Sequence, residues 1–186
     1  MTLDEMRVDF ITRRRGSMAL PMTGIFVYST AALLSLVLDE RWHNVALTLC
    51  FWAIMPIGAL MMKVRGEQVG SPAENPLFLL SNYARWMALA TWAIHIPVGI
   101  YAPQLFPISV GIGFALHWVI FSWTLMHPVG FIHLAMRIWL VLLGWHLAPD
   151  NHMGGVALGV ALAYAVSVFQ LSRIDWPAHF KSLERT

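Results

Sequence analysis

Long apolar runs separated by short polar breaks make up most of the chain. Six runs, at about 17–38, 43–62, 83–102, 106–127, 129–148 and 152–171, each hold 20 to 22 residues. A helix of that length, rising about 1.5 Å per residue, crosses a hydrocarbon core of about 30 Å. The breaks carry turn chemistry: Asp39-Glu40-Arg41, the polar loop from Gly66 to Pro76, Pro103 with Pro107, His127-Pro128, and Pro149-Asp150-Asn151. The break at Pro128 is so short that the fourth and fifth runs must form a tight antiparallel hairpin. Residues 2–15 read differently. Thr2 can N-cap a short helix with Glu5 as capping-box partner, and Leu3, Met6, Phe10 and Ile11 recur at helical spacing. Such a helix is expected to lie on the inner membrane face, with Arg13, Arg14 and Arg15 near lipid phosphates. The pattern predicts an all-α, polytopic transmembrane bundle. About six transmembrane helices and the short amphipathic helix form one integral membrane domain over residues 1–186.

Composition agrees with lipid as the solvent. The chain is 58% hydrophobic and 12% charged, where soluble domains carry about 25% charged residues. The net charge of +2 gives no reason to expect a nucleic-acid partner. The placement of the cations says more. Arg7, Arg13, Arg14, Arg15, Lys63, Arg65, Arg85, Arg173, Lys181 and Arg185 fall on one side of a six-span topology, and Arg41 alone falls on the other. The positive-inside rule then predicts both termini in the cytoplasm. Trp42, Trp86, Tyr101 and Trp176 fall near the expected interfaces. The charged first fifteen residues, and an apolar run that ends in Asp39-Glu40, argue for a retained helix over a cleaved signal peptide. The single cysteine, Cys50, excludes an intramolecular disulfide and reads as a small buried hydrophobe.

None of the six runs contains Asp or Glu, which argues against a carboxylate-based proton or sodium exchanger. Histidine and one arginine are the available intramembrane chemistry. His95, His117, His133 and Arg137 are the candidate ligand-binding residues. His133 and Arg137 are four apart and share a helix face, and the hairpin at Pro128 brings His117 alongside. Arg137 is the sharpest feature, because an arginine at mid-helix costs at least about 2.5 kcal/mol on insertion scales and cannot shed its proton. It must meet helix-end carbonyls, water, a lipid phosphate or an anionic ligand. Two of the histidines could hold haem b between facing helices, although no spacing is diagnostic, so no cofactor is expected. No metal site is expected either: the nearest approach to a zinc pair is His127 with His133, six apart. His43, His152 and His179 read as solvated. No nucleophile elbow, phosphate loop or dinucleotide fingerprint occurs, and no catalytic residue can be named. Gly111-Ile112-Gly113 reads as helix packing. Gly155, Gly159 and Ala163, at four-residue spacing, predict close helix approach, either within the bundle or at the face of a homodimer or larger membrane complex.

Three groups of residues resemble a family of uncharacterised bacterial six-helix membrane proteins, a domain of unknown function. They are Glu5-Met6-Arg7 with Phe10, Arg15-Gly16, Pro21 and Gly24; then Glu74-Asn75-Pro76-Leu77; then Phe106-Pro107 with Gly113, His117-Trp118 and Trp123. The chain departs from that family's pattern after His117, where Phe121-Ser122 replaces an expected proline. The resemblance implies the fold and a place in the bacterial cytoplasmic membrane, and no activity. The functional expectation is a small, non-enzymatic multi-pass protein that binds or moves a small molecule or lipid through a pocket lined by His and Arg. The rivals are a haem b redox protein and a structural or assembly subunit of a membrane complex.

Overall fold

The computed structural model describes residues 1–70, 72 and 74–183, so Arg185 lies outside the described residues. Every regular element among the described residues is helical. The α-helices are α1 (Leu3–Arg13), α2 (Ala19–Leu34), α3 (His43–Arg65), α4 (Pro76–Ala90), α5 (Trp92–Tyr101), α6 (Phe106–Gly113), α7 (Trp118–Leu125), α8 (Val129–Leu147), α9 (His152–Arg173) and α10 (Trp176–Leu183).

Loop contacts fix the topology. At one end Asn44 Nδ2 donates to the Pro103 carbonyl at 3.0 Å, and Asn151 Nδ2 to Ser35 Oγ at 2.9 Å. At the other, which we call the basal end, the Gln68 amide donates to the Arg13 carbonyl at 2.8 Å, Asn75 Nδ2 to the Met6 carbonyl at 2.8 Å, and His179 Nε2 to the Leu125 carbonyl at 3.1 Å. Successive loops therefore alternate between ends. The chain traverses the bundle six times, and α1 and α10 share the basal end. Five traverses are helical stretches long and apolar enough to cross a membrane: Arg15–Leu34, Glu40–Arg65, Pro103–Leu125, Val129–Leu147 and His152–Arg173. The third predicted run is instead two helices, α4 and α5, broken at Thr91. There the Thr91 hydroxyl and amide both take the Ala88 carbonyl, at 2.6 and 3.2 Å, a side-chain bond that competes with the helical ladder.

The fourth traverse is also broken, between α6 and α7. Residues 114–117 close in tight three-residue turns: the Ala115 amide bonds Ile112 O at 2.9 Å and the Trp118 amide bonds Ala115 O at 3.0 Å. Glycine at positions 111 and 113 makes this stretch a weak helix former. The turn leaves the Gly111 carbonyl without the amide that a continuous helix would supply.

Helix α9 lies at the centre, packed on α8, α2 and α6. Glycines set the approach of α8 and α9: a Cβ on Gly155 would fall onto the Gly144 carbonyl, and one on Gly159 onto that of Leu140. The stripe of Gly155, Gly159 and Ala163, a candidate dimer face in the sequence, is thus covered by α8 within the chain. Much of the outer surface is apolar, with Leu33, Leu36, Val37, Val64, Trp86 and Trp139 all exposed, a surface suited to lipid.

Helix α1 departs from expectation. Its capping box forms, with the Thr2 amide donating to Glu5 Oε2 at 2.7 Å and the Glu5 amide to Thr2 Oγ1 at 3.3 Å. It closes the basal end of the bundle, however, packing on α4, α7 and α10. Phe10 meets Phe78, and Ile11 joins Leu125, Leu171 and Phe180 in a buried cluster. Arg13 and Arg15 are exposed, whereas Arg7 and Arg14 are buried. Two apolar patches at the basal end, each needing cover, account for the difference. Gly16, at φ +77°, makes the sharp turn from α1 into α2, a conformation glycine adopts without strain.

Candidate functional site

Between the α2–α3 pair on one side and α4 with α7 on the other lies a slot-shaped cavity of about 150 Å³. Phe51 and Met62 of α3 both line it, and their separation along that helix makes the slot about 16 Å long at about 1.5 Å per residue. Its deep end is aromatic, walled by Tyr28, Phe51, Phe114, Trp118 and Tyr164. Leu20, Ile54, Ala88 and Phe121 form the middle, and Arg14, Glu67 and Arg85 stand at the basal end. The apolar lining along that length suits an alkyl chain.

The four sequence candidates part company around this slot. His117 lines it, in the turn that breaks the fourth traverse, and its buried Nδ1 has no hydrogen-bond partner among the described residues. Arg137 is 0% exposed and stands behind the wall. Its guanidinium lies between two tyrosine rings, 5.4 Å from the centroid of Tyr28 and 5.1 Å from that of Tyr164. Nε donates to the Gly111 carbonyl at 2.6 Å and Nη2 to Tyr28 Oη at 3.5 Å. The broken helix therefore supplies the acceptor, and two ring faces supply the negative potential that no carboxylate provides. Gly24 lets Tyr164 into this sandwich, since a Cβ there would lie 2.6 Å from the ring.

His133 is also behind the wall, stacked on Trp118 at 3.8 Å and bonded through Nδ1 to Ser167 Oγ at 2.8 Å. Ser167 Oγ donates its one hydrogen to the Ala163 carbonyl at 3.0 Å, so His133 carries its proton on Nδ1 and leaves Nε2 as a bare acceptor. His95 sits behind Phe114 of the slot wall, ring centroids 4.8 Å apart, and uses both nitrogens: Nε2 with Thr91 Oγ1 at 2.9 Å and Nδ1 with Ser109 Oγ at 2.5 Å. Of these three histidines, His117 lines the slot and His95 and His133 do not. Among the described residues no three His, Cys, Asp or Glu side chains gather into a metal-holding group. Of the histidines read as solvated, His43 differs from expectation and His152 is half-buried, each meeting a nearby backbone carbonyl. His43 is buried with Nε2 3.1 Å from Leu38 O, and His152 stacks on Trp145 with Nδ1 3.0 Å from the Trp145 carbonyl.

The basal polar group was not foreseen from the sequence. Glu67, read there as loop, is 5% exposed. It accepts the Ala19 amide at the start of α2 at 3.1 Å and Arg65 Nε at 2.8 Å. Arg14, 4% exposed, lies over the rings of Phe10 and Phe78 and donates through Nη1 to Met62 Sδ at 2.9 Å. Its Nε is buried without a hydrogen-bond partner among the described residues. Desolvation, with the Arg85 charge second, lowers the Arg14 guanidinium to about 10, and Glu67 opposes the shift. Arg85 bonds Asn82 on its own helix. The one hint in the sequence was the density of arginine at this end.

Asn75, in the Glu74-Asn75-Pro76-Leu77 segment, ties the site to α1. Its Oδ1 caps α4 by accepting the Leu77 amide at 3.0 Å, and its Nδ2 donates to the Met6 carbonyl and to Asp9 Oδ2, both at 2.8 Å. Trp123 faces Arg7 at 5.0 Å, so residues from all three resembling segments meet at the basal end or the slot. No curated protein and no solved structure matches the chain. The model of a family of unknown function, DUF7010, matches residues 3–173, and the chain belongs to that family.

Proposed function

We propose that this protein is a multi-pass protein of the bacterial cytoplasmic membrane, with both termini inside, that binds or moves a membrane-soluble small molecule or lipid along the slot between α2–α3 and α4–α7. The slot carries the reading. It is a largely apolar cavity, lined by His117 near its deep end and flanked by arginines at its basal end. Apolar walls with a few placed polar groups are the common form of a ligand site. His117 contacts the ligand directly, while Arg137 holds Tyr28 and Tyr164 in the wall. The orientation rests on the cations, since among the described residues Arg41 stands at the end opposite Arg7, Arg13, Arg14, Arg15 and Arg65. A C-terminal reporter fusion active only outside the cytoplasm overturns that orientation. The binding reading is tested by purifying the protein in mild detergent, extracting it with organic solvent and identifying what co-purifies. The expected result is a stoichiometric amphiphile that is lost from an Ala88→Phe variant, whose new ring fills the middle of the slot. Equal recovery from both proteins overturns the reading.

A further inference from the structure

The slot ends in positive charge. At its basal end stand Arg14 and Arg85, and the one carboxylate lining it, Glu67, already accepts the Ala19 amide and Arg65. Arg14 is held there at a cost. It is 4% exposed, its acceptor among the described residues is a thioether sulfur, a weak one, and its Nε is buried without a hydrogen-bond partner among those residues. A second guanidinium, Arg85, projects from α4 onto the same end of the cavity, and among the described residues it bonds Asn82 in its own helix. Two guanidiniums on one cavity, one with an unused buried donor, lack an acceptor with several oxygens. Planar N–H forks suit a phosphate or carboxylate. The remaining side chains along the slot are apolar or aromatic, apart from Ser17, Ser81, Thr124 and the aromatic-bound polar tips at the deep end.

We propose that Arg14 and Arg85 form an oxyanion site at the basal end of the slot, which selects a single-chain amphiphile with a phosphate or carboxylate headgroup. This deepens the binding reading above and rests on it. The headgroup bridges Arg14 on the α1–α2 turn and Arg85 on α4, and the tail runs past Leu20, Ile54 and Ala88 toward His117. Headgroup binding thereby couples α1 to α4, which Asn75 already ties at the same end.

The test uses the full chain in nanodiscs of zwitterionic lipid, titrated with dodecyl phosphate, dodecanol or inorganic phosphate and followed by intrinsic tryptophan fluorescence. Trp118 lies in the slot wall, and an extended dodecyl chain is about as long as the slot. The expected result is at least tenfold tighter binding of dodecyl phosphate than of dodecanol. Arg85→Gln and Arg14→Gln should each remove that advantage while leaving dodecanol binding unchanged. Arg85 is half-buried and bonds Asn82 within its own helix, whereas Arg14 is buried at the α1–α2 turn, so the Arg85 variant keeps the test open should Arg14→Gln misfold. Equal affinity for the phosphate and the alcohol, unchanged by Arg85→Gln, overturns the headgroup site and leaves the slot standing. Binding of neither amphiphile overturns the slot itself. Inorganic phosphate binding as tightly as dodecyl phosphate overturns the amphiphile as its source and assigns the site to a free anion.

Discussion

Two glycines face the same nominal overlap and should respond in opposite ways to alanine. A Cβ on Gly24 would lie 2.6 Å from the Tyr164 ring, and one on Gly58 would lie 2.6 Å from Leu20 Cδ2. Carbon atoms rest at about 3.5 Å or more, so each neighbour must retreat by about 1 Å. Leu20 can do so by rotating the methyl branch at the far end of a flexible side chain. Tyr164 cannot: it is 7% exposed, with Arg137 on its face and Trp118 and His133 beside it at 6.0 and 5.0 Å. Moving it strains the core, a cost of about 1–3 kcal/mol, and weakens a desolvated cation–π contact worth up to about 2 kcal/mol. The gain in helix propensity from glycine to alanine, about 1 kcal/mol, applies at both sites. Gly24→Ala should therefore destabilise by about 1–3 kcal/mol, and Gly58→Ala should be neutral or stabilising by up to about 1 kcal/mol. Unfolding of both variants in mixed micelles, followed by tryptophan fluorescence, measures the difference. A Tyr164→Leu background should remove most of the Gly24→Ala cost, since the two residues couple through contact. If Gly24→Ala is as mild as Gly58→Ala, or its cost survives without the ring, the account of the wall is wrong.

Three further outcomes follow from the same geometry. Arg137→Lys should lose about 1–2 kcal/mol of stability in the same assay, because a point charge can satisfy Gly111 O but cannot span both tyrosine rings; a lysine variant indistinguishable from the parent would show that the planar fork is immaterial. Asn75→Ala removes the α4 cap and both ties to α1, so amides of α1 should exchange with deuterium at least tenfold faster, for a cap worth about 1 kcal/mol and buried hydrogen bonds worth about 1 kcal/mol each; unchanged exchange in α1 would place its anchorage elsewhere. Gly159→Val sets a branched side chain against the Leu140 carbonyl, where backbone must separate from backbone, and should abolish recovery of folded protein from detergent; normal yield and stability would refute the close α8–α9 approach.

Local features of the sequence determined much of this protein. Run length and hydropathy specified an all-α bundle with helices long and apolar enough to cross a membrane, because a helix satisfies its own backbone and a core thickness sets its length. The Thr2 and Glu5 capping box and the proximity of Arg137 to the fourth run were legible for the same reason: each depends on spacing within a helix or across one tight turn. The tertiary structure decided the rest. Periodicity sees an uninterrupted apolar run over 106–127, whereas the turn at 114–117 frees the very carbonyl that Arg137 binds. Tyr28 and Tyr164, 136 positions apart in the sequence, meet around one guanidinium only because α2 and α9 pack together. Nothing in a glycine stripe says which helix will cover it, and here α8 does. Arg14, Glu67 and Arg85 belong to a turn, a loop and a helix with no shared periodicity. Their meeting at one end of a slot is a property of packing, which depends on contacts between residues distant in the chain, and no local pattern encodes it.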